Sequence, residues 1–230
     1  MFATAGTASA QSADALYADR ANLASARRAA DLWSAELAAN ARAFDAAWKL
    51  ARTDYWLGGH APEAERRGFL ENGIAAGRTA VVLEPNKPEG HFWIGANMGA
   101  LAESFGLRAG LKYRGSIKEE LETVIRLNPL FQQGSGYRAL GRWYYKVPGL
   151  FGGSSKLSEQ NLRAALKINP NSTASHYYLA ELLLDEGRKA DARAELQAVL
   201  DAPLDSFWGP EDQDFKAKAR SLLVRVKPAP

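Results

Sequence analysis

Cysteine is absent from the 230 residues, so disulfides, thiolate metal sites and a cysteine nucleophile are excluded together. Histidine occurs only three times, and no His-Glu-x-x-His spacing is among them. His91 and His176 sit far apart in the chain with no third ligand beside them, so no metal or cofactor is expected. No apolar run reaches the roughly eighteen residues that a membrane-spanning helix needs. Lys and Arg never cluster in blocks of five, and the formal net charge is only +3, so a nucleic-acid footprint is unsupported. The G-x-S-x-G elbow and the phosphate-binding P-loop are missing as well. Gly149, Gly152 and Gly153 precede Ser154 and Ser155, but no strand leads into them, so they read as a tight bend. Paired acids such as Glu119 and Glu120 fall on a polar helix face. Catalysis therefore has no candidate residues, and the expectation is a protein that is not an enzyme.

What the chain does contain is alanine, spaced glycine and proline, and long stretches of 3.6-residue apolar periodicity, which together predict an all-α protein. Helices are expected from Asp14 to Asn40, then from Phe44 to Leu57 with a stop at Gly58-Gly59. Others run from Pro62 toward Leu83 and from Glu89 to Phe105. Gly110 to Arg114 reads as a connector, with Ser116 capping the helix that follows. Toward the end, helices are expected over Thr173–Glu186, Lys189–Leu200 and Pro210–Val226. The last has acids first and bases last, as the helix dipole favours.

Four helix-ending prolines, Pro85, Pro129, Pro170 and Pro203, punctuate this pattern. Before three of them lies a recurring first-helix signature: His91-Ile94-Gly95-Met98, Tyr137-Leu140-Gly141-Tyr144 and His176-Leu179-Ala180-Leu183. A weaker copy begins at Ala47-Leu50-Ala51. The offsets are those of W-x2-L-G-x2-Y, the mark of the tetratricopeptide (TPR) repeat. The chain thus resembles a TPR-like array of antiparallel hairpins wound into a right-handed superhelix. Residues 1–13 read as a tail or the remnant of a signal peptide. Residues 14–203 make about four irregular repeats, and residues 204–230 are a capping helix and tail. Two repeats are lengthened by LRAGLKYRG and KVPGLFGGSS. Ala8-Ser9-Ala10 resembles a signal-cleavage site and implies a periplasmic or secreted protein, a cytoplasmic one being the alternative.

The aromatic first helices, the Pro148-Gly149-Leu150-Phe151-Gly152-Gly153 insertion and the Ala-x-x-x-x-Pro repeat ends resemble the T-component family of TRAP-type transporters. The Trp- and His-bearing first helices are also similar to the microtubule-dynamics regulator family. The first resemblance implies docking to a transporter's substrate-binding component and an apolar ligand held within the repeats. In a TPR array the first helices face the concave side. The expected ligand- or partner-binding residues are therefore Phe92, Trp93, Asn97, Arg138, Arg142, Trp143, Tyr145, Tyr177, His91 and His176. Neighbours such as Phe92 and Trp93 lie about 100° apart on a helix and cannot all point into the core. Arg138 and Arg142, one turn apart, can reach a single carboxylate. The function expected is non-catalytic binding of an apolar or amphipathic molecule or of a partner protein. The alternative is a scaffold for proteins alone.

Overall fold

The computed structural model describes residues 11–226, so the Ala8-Ser9-Ala10 motif lies outside it. Among the described residues there are eleven α-helices. Four antiparallel hairpins form the body: α3 (Phe44–His60) with α4 (Glu63–Leu83), α5 (Pro88–Phe105) with α6 (Leu107–Leu127), α7 (Ser135–Lys146) with α8 (Ser155–Ile168), and α9 (Thr173–Asp185) with α10 (Lys189–Asp201). Helices α1 (Ala13–Ala18) and α2 (Leu23–Ala39) precede them, and α11 (Gly209–Arg225) packs on α9 and α10.

Hairpins close where a side chain is missing. A Cβ on Gly141 would meet Leu162 Cγ at 2.8 Å, and one on Gly77 would meet Ile94 Cγ1 at 2.7 Å. The repeat glycines thus let α7 approach α8, and α4 approach α5. The apolar periodicity becomes two core clusters. The larger runs from the first helices through Leu140 and Trp143 of α7. The smaller joins Leu162 of α8 to α9, α10 and Ala219 of α11.

Three expectations need correction. The long first helix is broken at residues 19–22, where Asn22 caps α2 by accepting from the Ala24 amide at 3.1 Å. The break places Arg20, completely buried, against residues nearly two hundred positions later. That is a tertiary reason with no local sign. Gly58-Gly59 does not end α3, which continues to His60. Gly58 is instead a close-approach site, its notional Cβ lying 2.3 Å from Leu70 Cδ2. Residues 110–114 are no connector either, because α6 is continuous from Leu107 and LRAGLKYRG is additional helix. Two glycines each cost a helix only about 1 kcal/mol, and Ile117, Leu121 and Val124 are buried further along the same helix. KVPGLFGGSS is a true turn. Its Gly149–Phe151 segment is a single 3-10 turn closed by Gly153 N–H donating to the Pro148 carbonyl.

Candidate functional site

The first helices of all four hairpins face a common cavity of about 1120 Å³, at or above the size usual for small-molecule pockets, on the order of 300–1,000 Å³. Tyr55 comes from α3, Phe92 and Trp93 from α5, Arg138, Arg142 and Trp143 from α7, and Tyr178 from α9. Both lengthened hairpins contribute. The additional helix supplies Gly110, Leu111 and Arg114, and the turn supplies Pro148 and Phe151. The two are tied together, since Trp143 Nε1 donates to the Arg114 carbonyl at 2.9 Å and the Arg114 guanidinium lies over the Phe151 ring.

A further wall was not legible as such in the sequence. Leu204, Asp205, Trp208, Glu211, Asp212 and Phe215 of the C-terminal segment line the same cavity. The cluster Ser206-Phe207-Trp208 before an expected cap was the available signal. A cap needs no aromatic pair at its start.

Of the ten expected binding residues, Phe92, Trp93, Arg138, Arg142 and Trp143 line the cavity, and five do not. Phe92, Trp93 and Trp143 are also buried members of the larger core cluster, so adjacency on the helix does not keep Phe92 and Trp93 from both packing inward. Asn97 is fully buried, its amide donating to the carbonyls of Ala51 and Trp93 at 3.0 and 2.8 Å. It packs on Gly73, where a Cβ would be 2.4 Å from its oxygen. Tyr145 donates to Asp185, and Tyr177 packs edge-on against Tyr178 and at a tilt against Phe215. Tyr178, its neighbour, takes the cavity position.

His91 and His176 form an internal joint that recurs. His91 Nδ1 meets Glu120 at 2.5 Å and its Nε2 meets the Pro85 carbonyl at 2.9 Å. His176 repeats this with Glu195 at 2.5 Å and the Pro170 carbonyl at 2.9 Å. Each ring thereby ties the end of one repeat to the second helix of the next. Burial opposes charge on His176, but the Glu195 bond and the Pro170 carbonyl outweigh it and hold its pKa above the usual value. A raised folded value means stabilisation that is complete below the unfolded pKa of about 6.5 and fades as pH rises through the folded value. His176→Gln is therefore expected to cost about 1–2 kcal/mol at pH 6 and clearly less at pH 8.5. Thermal melts at the two pH values measure the difference.

The charged groups of the cavity divide sharply. The Arg142 guanidinium is held by both carboxylate oxygens of Glu103, at 3.0 and 2.9 Å, and by Glu181. Burial works against its charge, but the bond to Glu103 and the negative charges of Glu103 and Glu181 together outweigh burial and raise its pKa. Arg142 is thus occupied by the protein's own acids. The Arg138 side chain, one turn away and half-buried, makes no hydrogen bond or ion pair among the described residues. Burial lowers its pKa, and Glu211 and Asp212 offset this only from a distance. Guanidinium nevertheless stays charged in proteins, so Arg138 is a cation without a charge partner; Arg114 and Lys146 of the same lining likewise make no ion pair among the described residues. Around Arg138 burial raises the phenols of Tyr55 and Tyr178, which keeps them protonated as donors. The wall carries two more unmatched polar atoms, Trp93 Nε1 and Gln132 Oε1. Gln132 and Gln133 both adopt positive φ, 43° and 59°, before the left-handed Gly134. Such strain in non-glycine residues collects at functional sites.

An array of antiparallel helix pairs with repeat glycines and an aromatic inner face defines a TPR-like protein, and residues 158–206 match the model of the tetratricopeptide repeat. Residues 10–151 match the family described as regulator of microtubule dynamics protein 1-3, and the chain belongs to that family. The matches thus carry the second of the two resemblances and not the first. Among solved structures, a thermophilic TPR protein of Thermus thermophilus is similar over 91% of this chain and 96% of its own, at TM-score 0.67 and 24% identity. MamA is similar over 87% and 95%, at TM-score 0.52 and 16% identity. These likenesses concern the fold. No protein of curated function matches the chain. Among the described residues no cluster of potential metal ligands occurs, and no helix is long and apolar enough to cross a membrane.

Proposed function

We propose that this chain is a non-catalytic binding protein whose internal cavity holds an amphipathic molecule, its apolar body against the aromatic wall and its single acidic group on Arg138. The observation that supports this reading most is the unpaired Arg138 guanidinium inside a cavity that aromatic side chains help to line. Arg138 is half-buried, and a guanidinium partly withdrawn from water gains from an anionic partner with further hydrogen bonds. Guanidinium binds carboxylate in a bidentate fork, and Tyr55 and Tyr178 line the same cavity. Phe92, Trp93 and Trp143 are only 5%, 2% and 7% exposed. Apolar contact therefore falls mainly to the half-buried rings of Tyr55, Tyr178, Trp208 and Phe215, which have little rotamer entropy to lose. Arg142 stands aside from this role, because Glu103 and Glu181 already neutralise it.

Fluorescence titration with cis-parinaric acid and with its uncharged methyl ester tests the assignment. The acid is expected to bind the wild-type protein at least tenfold more tightly than the ester. Arg138→Met should abolish that preference while leaving the thermal midpoint unchanged or higher. Equal affinities for acid and ester, or an intact preference in the variant, would overturn it.

A second reading, a scaffold that assembles proteins only, is favoured by the turn at Leu150. This rigidly closed 3-10 turn presents a leucine that is 89% exposed. Native mass spectrometry of the purified protein separates the two. A co-purifying small molecule supports the first, and a clean apo mass with capture of protein partners supports the second.

A further inference from the structure

Helix α11 was expected only to cap the last hairpin, yet its attachments are of two different kinds on its two sides. Toward α9 and α10 it is joined through apolar contacts. Ala219 belongs to the smaller core cluster, with Phe215, Leu222 and Leu223 packed against it. Lys216 adds bonds to the carbonyls of Leu200 and Ala202 at 2.5 and 2.6 Å, and Thr173 donates to Asp212 at 2.6 Å.

Toward the beginning of the chain the joint is built on one buried guanidinium, Arg20, which lies over the rings of Tyr17, Trp56, Phe207 and Trp208. Arg20 Nε donates to Glu211 Oε1 at 2.9 Å, its Nη2 pairs with Glu211 Oε2 and also donates to the Phe207 carbonyl at 2.6 Å. His60 Nε2 meets Asp214 Oδ2 at 2.8 Å. Tyr17 and Phe207 face each other with ring centroids 6.1 Å apart. Of this segment only Trp208 packs on the larger core cluster. Between the two joints, residues 203–215 form one wall of the cavity while Leu204 and Phe207 stay 51% and 41% exposed.

We infer that the segment from Pro203 to Phe215 is a strap that gates the cavity, carried with α9–α10 and released at its latch to α1 and α3. The asymmetry is the reason. Opening at the latch gives up the bonds of Arg20 and His60 and the contact of Arg20 with the Phe207 and Trp208 rings, and water can resolvate the charged groups it frees. Opening on the other side would expose a continuous apolar core. Low-stability elements of this kind, poor in buried apolar contacts, are those from which lids are drawn. The inference deepens the proposed function by assigning the route in and out of that cavity.

The absence of cysteine makes a ligand-free test clean. Ala139→Cys, a small change at a half-buried residue of the cavity wall, introduces a single thiol whose labelling by fluorescein-5-maleimide reports access. Adding Arg20→Met and His60→Gln is expected to speed labelling at least fivefold while the circular dichroism spectrum stays unchanged. Should the double change impair folding, Glu211→Gln, which keeps the side-chain shape, weakens the same latch and should speed labelling at least twofold. Equal labelling rates with an intact latch and a weakened one in folded protein would overturn the strap. No ligand enters this experiment, so the strap and the Arg138 assignment can each fail alone.

Discussion

Replacing Asp54 by Asn is expected to stabilise the protein at pH 8 by about 2–4 kcal/mol, or roughly 5–15 °C in thermal midpoint. Asp54 lies on α3, 1% exposed, and accepts one hydrogen bond from Asn72 Nδ2 at 2.5 Å. No cation pairs with it among the described residues. Burial pushes its carboxyl up to about 7, the Asn72 bond opposing this only in part. Folding therefore favours the protonated acid. Between the unfolded value near 4 and the folded value near 7, the unfolded chain loses its proton first, and stability falls as pH rises. Each unit of difference is worth about 1.4 kcal/mol, which sets the upper figure. Relaxation and water penetration reduce it toward the lower one. Asn carries no such penalty and can still accept from Asn72. Melts from pH 4 to pH 8 should show the two proteins converging at the acid end and separating up to about pH 7.5. A gap that stays constant across this range would contradict the account.

Gly153→Ala is expected to act in the opposite direction, costing about 3 kcal/mol, the upper end of what single substitutions do, or roughly 6–12 °C. A Cβ at this position would lie 1.6 Å from the Val147 carbonyl oxygen and 2.6 Å from its carbon. These are backbone atoms, so no rotamer change relieves the clash. The turn would have to open, losing the bond from the Ser154 amide to the Tyr144 carbonyl at 2.9 Å and that from Gly153 to Pro148. Pro148 and Phe151 line the cavity, so affinity for parinaric acid should fall with stability. Gly149→Ala is the control, because nothing lies within 4 Å of its notional Cβ, and it should change stability by less than about 1 kcal/mol. If both variants melt alike, the close packing of this turn is not what holds it.

Both substitutions concern residues whose importance no local pattern reveals. Asp54 follows Thr53 in an ordinary amphipathic helix, and only the packing of α4 on α3 removes it from water. Gly153 is one of three glycines in a six-residue stretch. Its neighbour Gly152 needs its positive φ of 103°, and Gly149 tolerates a side chain sterically.

Periodicity, the recurring Gly and Pro positions and the lack of cysteine determine an all-helical chain of repeated hairpins without disulfides. These properties depend on spacing within ten to forty residues, which a sequence displays directly. That the first helices share an inner face follows from the same register, so Phe92, Trp93, Arg138, Arg142 and Trp143 could be assigned to the cavity side. Which of two neighbours turns inward was decided by packing. Tyr178 lines the cavity and Tyr177 does not, although Phe215 of a distant helix lies against both rings. Asn97, His91 and His176 look like recognition residues by type, but buried backbone carbonyls and the acids Glu120 and Glu195 claim them. The separation of Arg138 from Arg142 is likewise tertiary, because Glu103 and Glu181 stand thirty-nine residues away on either side. So is the closing wall. The contact of Arg20 with Glu211 spans 191 residues, and a guanidinium and a carboxylate that far apart become partners only once every repeat between them has folded.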